Sequence, residues 1–98
     1  MIKHVVAFNL RPEMTEAGAR ELYGRAKEML ARVPGVRNFS VGPAINEGSP
    51  YRYGLVMEFD SPAALKAYLD HPQHVKFVEE QFRPAVAERL ILDFEPVE

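Results

Sequence analysis

Hydrophobic positions recur along this chain with two different periods, and the points where the period changes mark out its elements. Ile2 to Leu10 is rich in β-branched and aromatic residues and stops at Arg11-Pro12, where the proline ring removes a ladder donor; a first strand is predicted there. The spacing then lengthens. Ala19, Leu22, Tyr23, Ala26, Met29, Leu30 and Val33 fall at i, i+3, i+4, i+7 intervals and form the apolar stripe of a helix. Thr15 can cap that helix and Pro34-Gly35 stops it, while Glu16/Arg20, Glu21/Arg25 and Glu28/Arg32 are favourable i,i+4 pairs on its polar side. Val36 to Val41 reads as a second strand broken by Gly42-Pro43, and Asn46 to Pro50 as a turn. Tyr51 to Asp60 is a third strand with Tyr51, Tyr53, Leu55, Met57 and Phe59 on one face. Ser61-Pro62 opens a short helix to about Leu69, and Pro72 opens another that carries His74, Val75, Val78 and Phe82 and ends near Arg83-Pro84. A last strand, roughly Glu88 to Glu95, puts Leu90, Leu92 and Phe94 on one side, taken as the core side, and Ile91 on the other.

The predicted order β-α-β-β-(α-α)-β suits an α+β, ferredoxin-like domain over residues 1–98: a four-stranded antiparallel sheet with helices on one face. The other face of such a sheet should be polar. Here Val5 and Ala7 of the first strand, Gly54 and Val56 of the third and Ile91 of the fourth all fall on it. A second apolar face without a cover of its own predicts a homodimer, two sheets packed face to face.

The chain has 12 Lys and Arg against 14 Asp and Glu, a formal charge of −2, with the signs interspersed. No basic footprint for nucleic acid is present. No apolar run approaches the ~20 residues that cross a bilayer, so no membrane association is expected. The absence of cysteine excludes disulfides and thiolate chemistry, and the N-terminus lacks the zones of a signal peptide; the expected location is cytoplasmic.

Candidate chemistry concentrates in Tyr68-Leu69-Asp70-His71-Pro72-Gln73-His74, together with His4. Imidazole is suited to proton transfer near neutral pH, and a phenol beside it can orient or polarise a carbonyl. Strand parity puts His4 with Val6 and Phe8 on the helix side, where Tyr68 and His74 can meet it. The more ordinary roles are a helix cap for His71 and core packing for His4 and Tyr68. Asp60, Asp70 and Asp93 lie at element ends, where capping is the expected role. No third ligand accompanies His71 and His74, so neither a metal nor another cofactor is expected.

Ile2-Lys3-His4-Val5-Val6, Val33-Pro34-Gly35-Val36, Phe59-Asp60-Ser61, the Tyr68–His74 block, Phe82-Arg83-Pro84 and Leu92-Asp93-Phe94 together resemble the stress-responsive dimeric α/β-barrel (Dabb) family. The resemblance runs end to end. It implies a ferredoxin-like protomer whose sheet packs on its twin to close a barrel. In the cyclase-like branch of the family the tyrosine and the second histidine of the block are the acid/base pair, here Tyr68 and His74, and the first-strand histidine, here His4, lines the pocket. That branch has a further histidine in the third strand, near where this chain has Tyr53. The resulting expectation is a small-molecule-binding barrel that transfers a proton on an aromatic or enolisable carbonyl compound. His74 and Tyr68 are its catalytic pair, and His4, Val6, Phe8, Tyr23, Tyr53, Leu55 and Phe82 line its substrate pocket. The alternatives are a non-enzymatic stress or accessory protein with structural histidines, and a cofactor-free monooxygenase.

Overall fold

The computed structural model describes residues 1–97. Strands β1 (Ile2–Leu10), β2 (Arg37–Pro43), β3 (Tyr53–Phe59) and β4 (Val86–Phe94) form one antiparallel sheet in the order β2-β3-β1-β4. Helices α1 (Glu16–Leu30), α2 (Pro62–Asp70) and α3 (Pro72–Phe77), a π-helical turn (Val78–Phe82) and the short α4 (Arg83–Ala85) follow the predicted order. This is the ferredoxin-like arrangement.

Local chemistry explains the boundaries. Thr15 accepts a hydrogen bond from the Gly18 amide at 3.0 Å and starts α1. Gly35 ends the segment beyond it at φ +92°, a backbone region that side chains disfavour. Of the predicted i,i+4 pairs, Glu16–Arg20 closes at 3.3 Å. Strand β2 runs through Pro43 rather than stopping before it. The strand lies at the sheet edge, so the missing N–H costs no ladder bond.

Along β1 burial alternates, with Ile2, His4, Val6 and Phe8 turned to the helices. Their β3 partners in register, Phe59, Met57, Leu55 and Tyr53, share that side. Leu22, Ala26 and Leu30 of α1, Tyr68 of α2, Phe77 of α3 and Phe82 close the layer above them.

Strand β4 corrects the predicted parity. Leu90, Leu92 and Phe94 stand opposite Ala7, Val5 and Lys3, which puts them on the open face of the sheet. Arg89, Ile91 and Asp93, paired with Phe8, Val6 and His4, are on the helix side. The open face is consequently more apolar than the sequence reading had it: Leu90, Leu92 and Phe94 are 54%, 55% and 41% exposed, beside Val5, Ala7 and Val56. The molecule is only 18 Å through its thinnest dimension, the depth of one sheet and one helical layer.

Candidate functional site

Two helices joined by a proline corner position the Tyr68–His74 block. Ser61 accepts from the Ala64 amide at 3.1 Å, Pro62 follows at the first helical position, and α2 then delivers Tyr68 into the core. His71 takes extended backbone angles at the corner. Its own N–H donates to the Tyr68 carbonyl, closing α2, and its Nδ1 accepts from the Gln73 amide at 3.1 Å, opening α3. The capping role read for His71 is the one it has. The predicted caps Asp60 and Asp70 instead pair with Arg37 at 3.0 Å and Lys66 at 2.7 Å.

The end of α2 leaves its last carbonyls without helical donors. His74, one turn into α3, reaches back across the corner and donates from Nδ1 to the Leu69 carbonyl at 2.9 Å. That bond fixes the ring and its tautomer, so Nε2 is the unprotonated nitrogen of the neutral imidazole. The His74 ring centroid lies 4.6 Å from that of Tyr68, and Tyr68 in turn lies 5.9 Å from His4 and 5.0 Å from Phe59. His4, 4% exposed, is likewise held by its Nδ1, which donates to the Asp93 carboxylate. Asp93 is therefore a histidine partner on β4 and not a cap.

Burial shifts two of these groups. Desolvation lowers the His74 pKa below its usual 6.5. The bond to Leu69 opposes that shift, and His4 adds to it. Burial drives the Tyr68 phenol far above its usual range, so its hydroxyl stays a donor. No hydrogen bond among the described residues engages Tyr68 Oη. Among those residues no buried side-chain polar atom is left fully enclosed without a partner, so this hydroxyl keeps access to open space.

That space is a cavity of about 170 Å³ between the sheet and α3. Its size is near the ~150 Å³ at which an apolar cavity takes up one benzene ring. Of the predicted site residues, His4, Val6, Leu55, Tyr68, His74 and Phe82 line it. Phe8, Tyr23 and Tyr53 do not. Tyr53 stacks on Phe8 at 5.5 Å and leans on Tyr23 at 6.4 Å, over a separate hollow beside Met14 and Thr15 at the other end of the layer. Burial raises the Tyr23 pKa, with Tyr53 and Glu16 adding to the effect. The β3 residue beside His4 is Met57, fully buried, so β3 brings no histidine to the cavity.

Sequence reasoning missed Arg83, Arg89 and Ile91 on the cavity wall, along with Leu30, Leu69, Phe77 and Val78. Arg89 and Ile91 were lost with the parity of β4. Val78 and Arg83 are set by the π-helical turn, in which the Arg83 N–H bonds to the Val78 carbonyl five residues back. Such turns recur at functional sites and leave no periodic signal in a sequence. No cluster among the described residues could hold a metal ion.

A two-layer α+β protomer with one covered and one bare sheet face, and a histidine–tyrosine cavity in the covered layer, defines the class of this protein. The chain matches the family model described as the Stress responsive A/B Barrel Domain over residues 2–96, and it belongs to that family. It is 24% identical to olivetolic acid cyclase of Cannabis sativa, over 97% of this chain and 96% of that one. Among solved structures it resembles a Dabb family protein with a ferredoxin-like fold from Mesorhizobium loti. The identity is 33% and the TM-score 0.90, over 99% of this chain and 97% of that one. A dimeric ferredoxin-like protein of unknown function from Thermobifida fusca shares the fold at 22% identity and a TM-score of 0.83, over 95% and 88% of the two chains.

Proposed function

We propose that the protein is a homodimeric barrel that binds a small aromatic or apolar carbonyl compound in the His4–Tyr68–His74 cavity and catalyses a proton transfer on it. The observation that carries this reading is the tethering of His74. With Nδ1–H spent on Leu69, the ring offers Nε2 as a base beside the Tyr68 phenol in a cavity large enough for one ring. In the step that follows, Nε2 takes a proton from the carbon next to the carbonyl. The C–H electron pair becomes a C=C bond and the carbonyl π pair moves to oxygen. Tyr68 donates a hydrogen bond to that oxygen, which then receives the proton from the imidazolium. Nothing is oxidised or reduced, and the sum is keto to enol. The similarity to a cyclase supports the same class of chemistry without fixing the substrate.

The dimer rests on the bare face. Leu90, Leu92 and Phe94, with Val5, Ala7 and Val56, make an apolar patch of the kind that monomers seldom leave exposed. Likeness to a dimeric ferredoxin-like protein agrees with it.

The test is enolisation of a panel of aryl ketones and keto acids, followed by ultraviolet absorbance, with wild type and His74→Ala. A general base contributes roughly 10²–10⁴-fold, and that loss is the expected result. Because burial depresses the His74 pKa, wild-type turnover should already be at its plateau at neutral pH and fall only below about 6.5. Equal turnover by the two proteins sinks the catalytic assignment.

A further inference from the structure

The cavity wall is apolar except for its histidines and tyrosine and for two arginines that arrive from different elements. Arg89 occupies a helix-facing position of β4, in line with Ile91 and Asp93 and opposite Phe8. Arg83 follows the π-helical turn, whose extra residue sets the start of α4. Both side chains are exposed and both border the cavity, which puts their cationic ends at its mouth. Among the described residues no aspartate or glutamate lines the same space, and neither guanidinium forms an ion pair. An unpaired arginine on an open surface is ordinary. Arg89 differs in its place: it stands on the helix-facing parity of an exposed edge strand, in line with Ile91, and puts its charge at the rim of a cavity lined mostly by apolar side chains.

We propose that the ligand is an anion: an aromatic or apolar molecule bearing a carboxylate beside its carbonyl group, with the carboxylate held at the mouth by Arg89 and Arg83. Guanidinium matches the planar carboxylate and can bind it through two parallel hydrogen bonds. The ring of the ligand then lies against Val6, Leu55 and Phe82, and its carbonyl group lies toward Tyr68 and His74. This substrate class rests on the proton-transfer reading for its carbonyl and on the arginines alone for its charge, so the two can fail separately. The competing role for Arg89 is protection of an edge strand, since an inward-pointing charge on such a strand discourages pairing with other chains.

Calorimetric titration of the full-length protein with phenylpyruvate and with its methyl ester separates these ideas. The two probes share ring and ketone and differ in charge. Wild type should bind the acid roughly tenfold or more tightly than the ester, as a charge-assisted hydrogen bond warrants. Arg89→Leu should erase most of that preference while leaving ester binding in place, Arg83→Leu should reduce it, and Arg89→Lys should restore part of it. Raising the salt concentration should narrow the gap in wild type only. Equal affinity for acid and ester, a preference that survives both arginine substitutions, or failure of both probes to bind would overturn the proposal. Aggregation of Arg89→Leu with unchanged preference in its soluble fraction would give the residue to edge protection instead. Arginine-dependent binding of the acid without enolisation would leave this inference standing and remove the proton-transfer reading.

Discussion

The helix-covered face of the sheet carries an aromatic group at each end, and the two groups are built differently. At one end Phe8, Tyr53 and Phe82 pack ring on ring, with Phe8–Tyr53 stacked at 5.5 Å and Phe8–Phe82 edge-on at 5.4 Å, and Phe8 is sealed at 1% exposure. At the other, His4, Tyr68 and His74 stand at similar spacing. There each imidazole is tied outward through Nδ1, to Asp93 and to Leu69, and the rings border open space. In the first group Phe8 fills volume, while Tyr53 borders the hollow beside Met14 and Thr15 and Phe82 borders the cavity. The second spends hydrogen bonds on orienting rings that do not fill the volume beside them. Orientation without filling costs stability, and a binding site is what such an arrangement can provide.

Phe8→Ala breaks the packed end and gives the largest effect. Removing a fully buried phenylalanine should cost about 3–5 kcal/mol, read by equilibrium denaturation. Its cavity neighbours Val6 and Leu55 belong to strands that the loss would loosen. A cost below about 1 kcal/mol would mean that this end is as open as the other. The bare face of the sheet supplies the next test. Leu92→Lys places an ammonium in the proposed dimer interface, and burial of an unpaired charge costs several kcal/mol in practice. Sedimentation should therefore show a dimer for wild type and monomers for the variant. A wild-type monomer at micromolar concentration would overturn the assembly.

The histidine end was legible in the sequence because its parts are local. A tyrosine, a helix end, a proline corner and a histidine one turn on occur within Tyr68–His74, and strand parity alone carried His4 toward them. The wall formed by β4 was not legible. Leu90, Leu92 and Phe94 are apolar, while their alternates Arg89, Ile91 and Asp93 hold one apolar residue between two charged ones, so period-two alternation read by hydrophobicity assigns the wrong set to the helices. Pairing decides it: His4 opposite Asp93 fixes Ile91 and Arg89 inward. The polar residues of the strand held the signal, since the carboxylate that a buried histidine needs selects the parity. Tyr23 and Tyr53 were placed at the site for a related reason. Parity gave Tyr53 its face of the sheet and the helical stripe gave Tyr23 its side of α1, but neither gives how far along the layer they sit, and they belong to the packed end.

Asp93→Ala sharpens the comparison at smaller scale. It leaves the His4 Nδ1–H without its acceptor at a 4% exposed position. An unsatisfied buried donor costs about 1–3 kcal/mol, and thermal or chemical denaturation of the variant should show a loss in that range. No change in stability would mean that the His4 tether is replaced by solvent and that this end is wetter than the packed one.

The smallest effect is a dependence on pH, and its sign follows from burial at the open end. In the unfolded chain His74 titrates near its usual 6.5, and in the fold desolvation lowers that value, with His4 across the cavity acting in the same direction. Well above 6.5 the ring is neutral in both states and contributes no proton difference. As the pH falls below 6.5 the unfolded chain takes up the proton first, so stability declines until the pH passes the lowered folded value and then stops changing. The packed end holds no imidazole, and burial moves the neighbouring Tyr23 phenol further from neutrality. Denaturation of wild type and His74→Ala at pH 7.5 and at pH 5 isolates the contribution, since the other histidines are common to both proteins. Wild type should lose more stability than the variant on acidification. An equal loss in both would mean that His74 is as well solvated in the fold as in the open chain, and the two ends would then no longer differ in the way proposed.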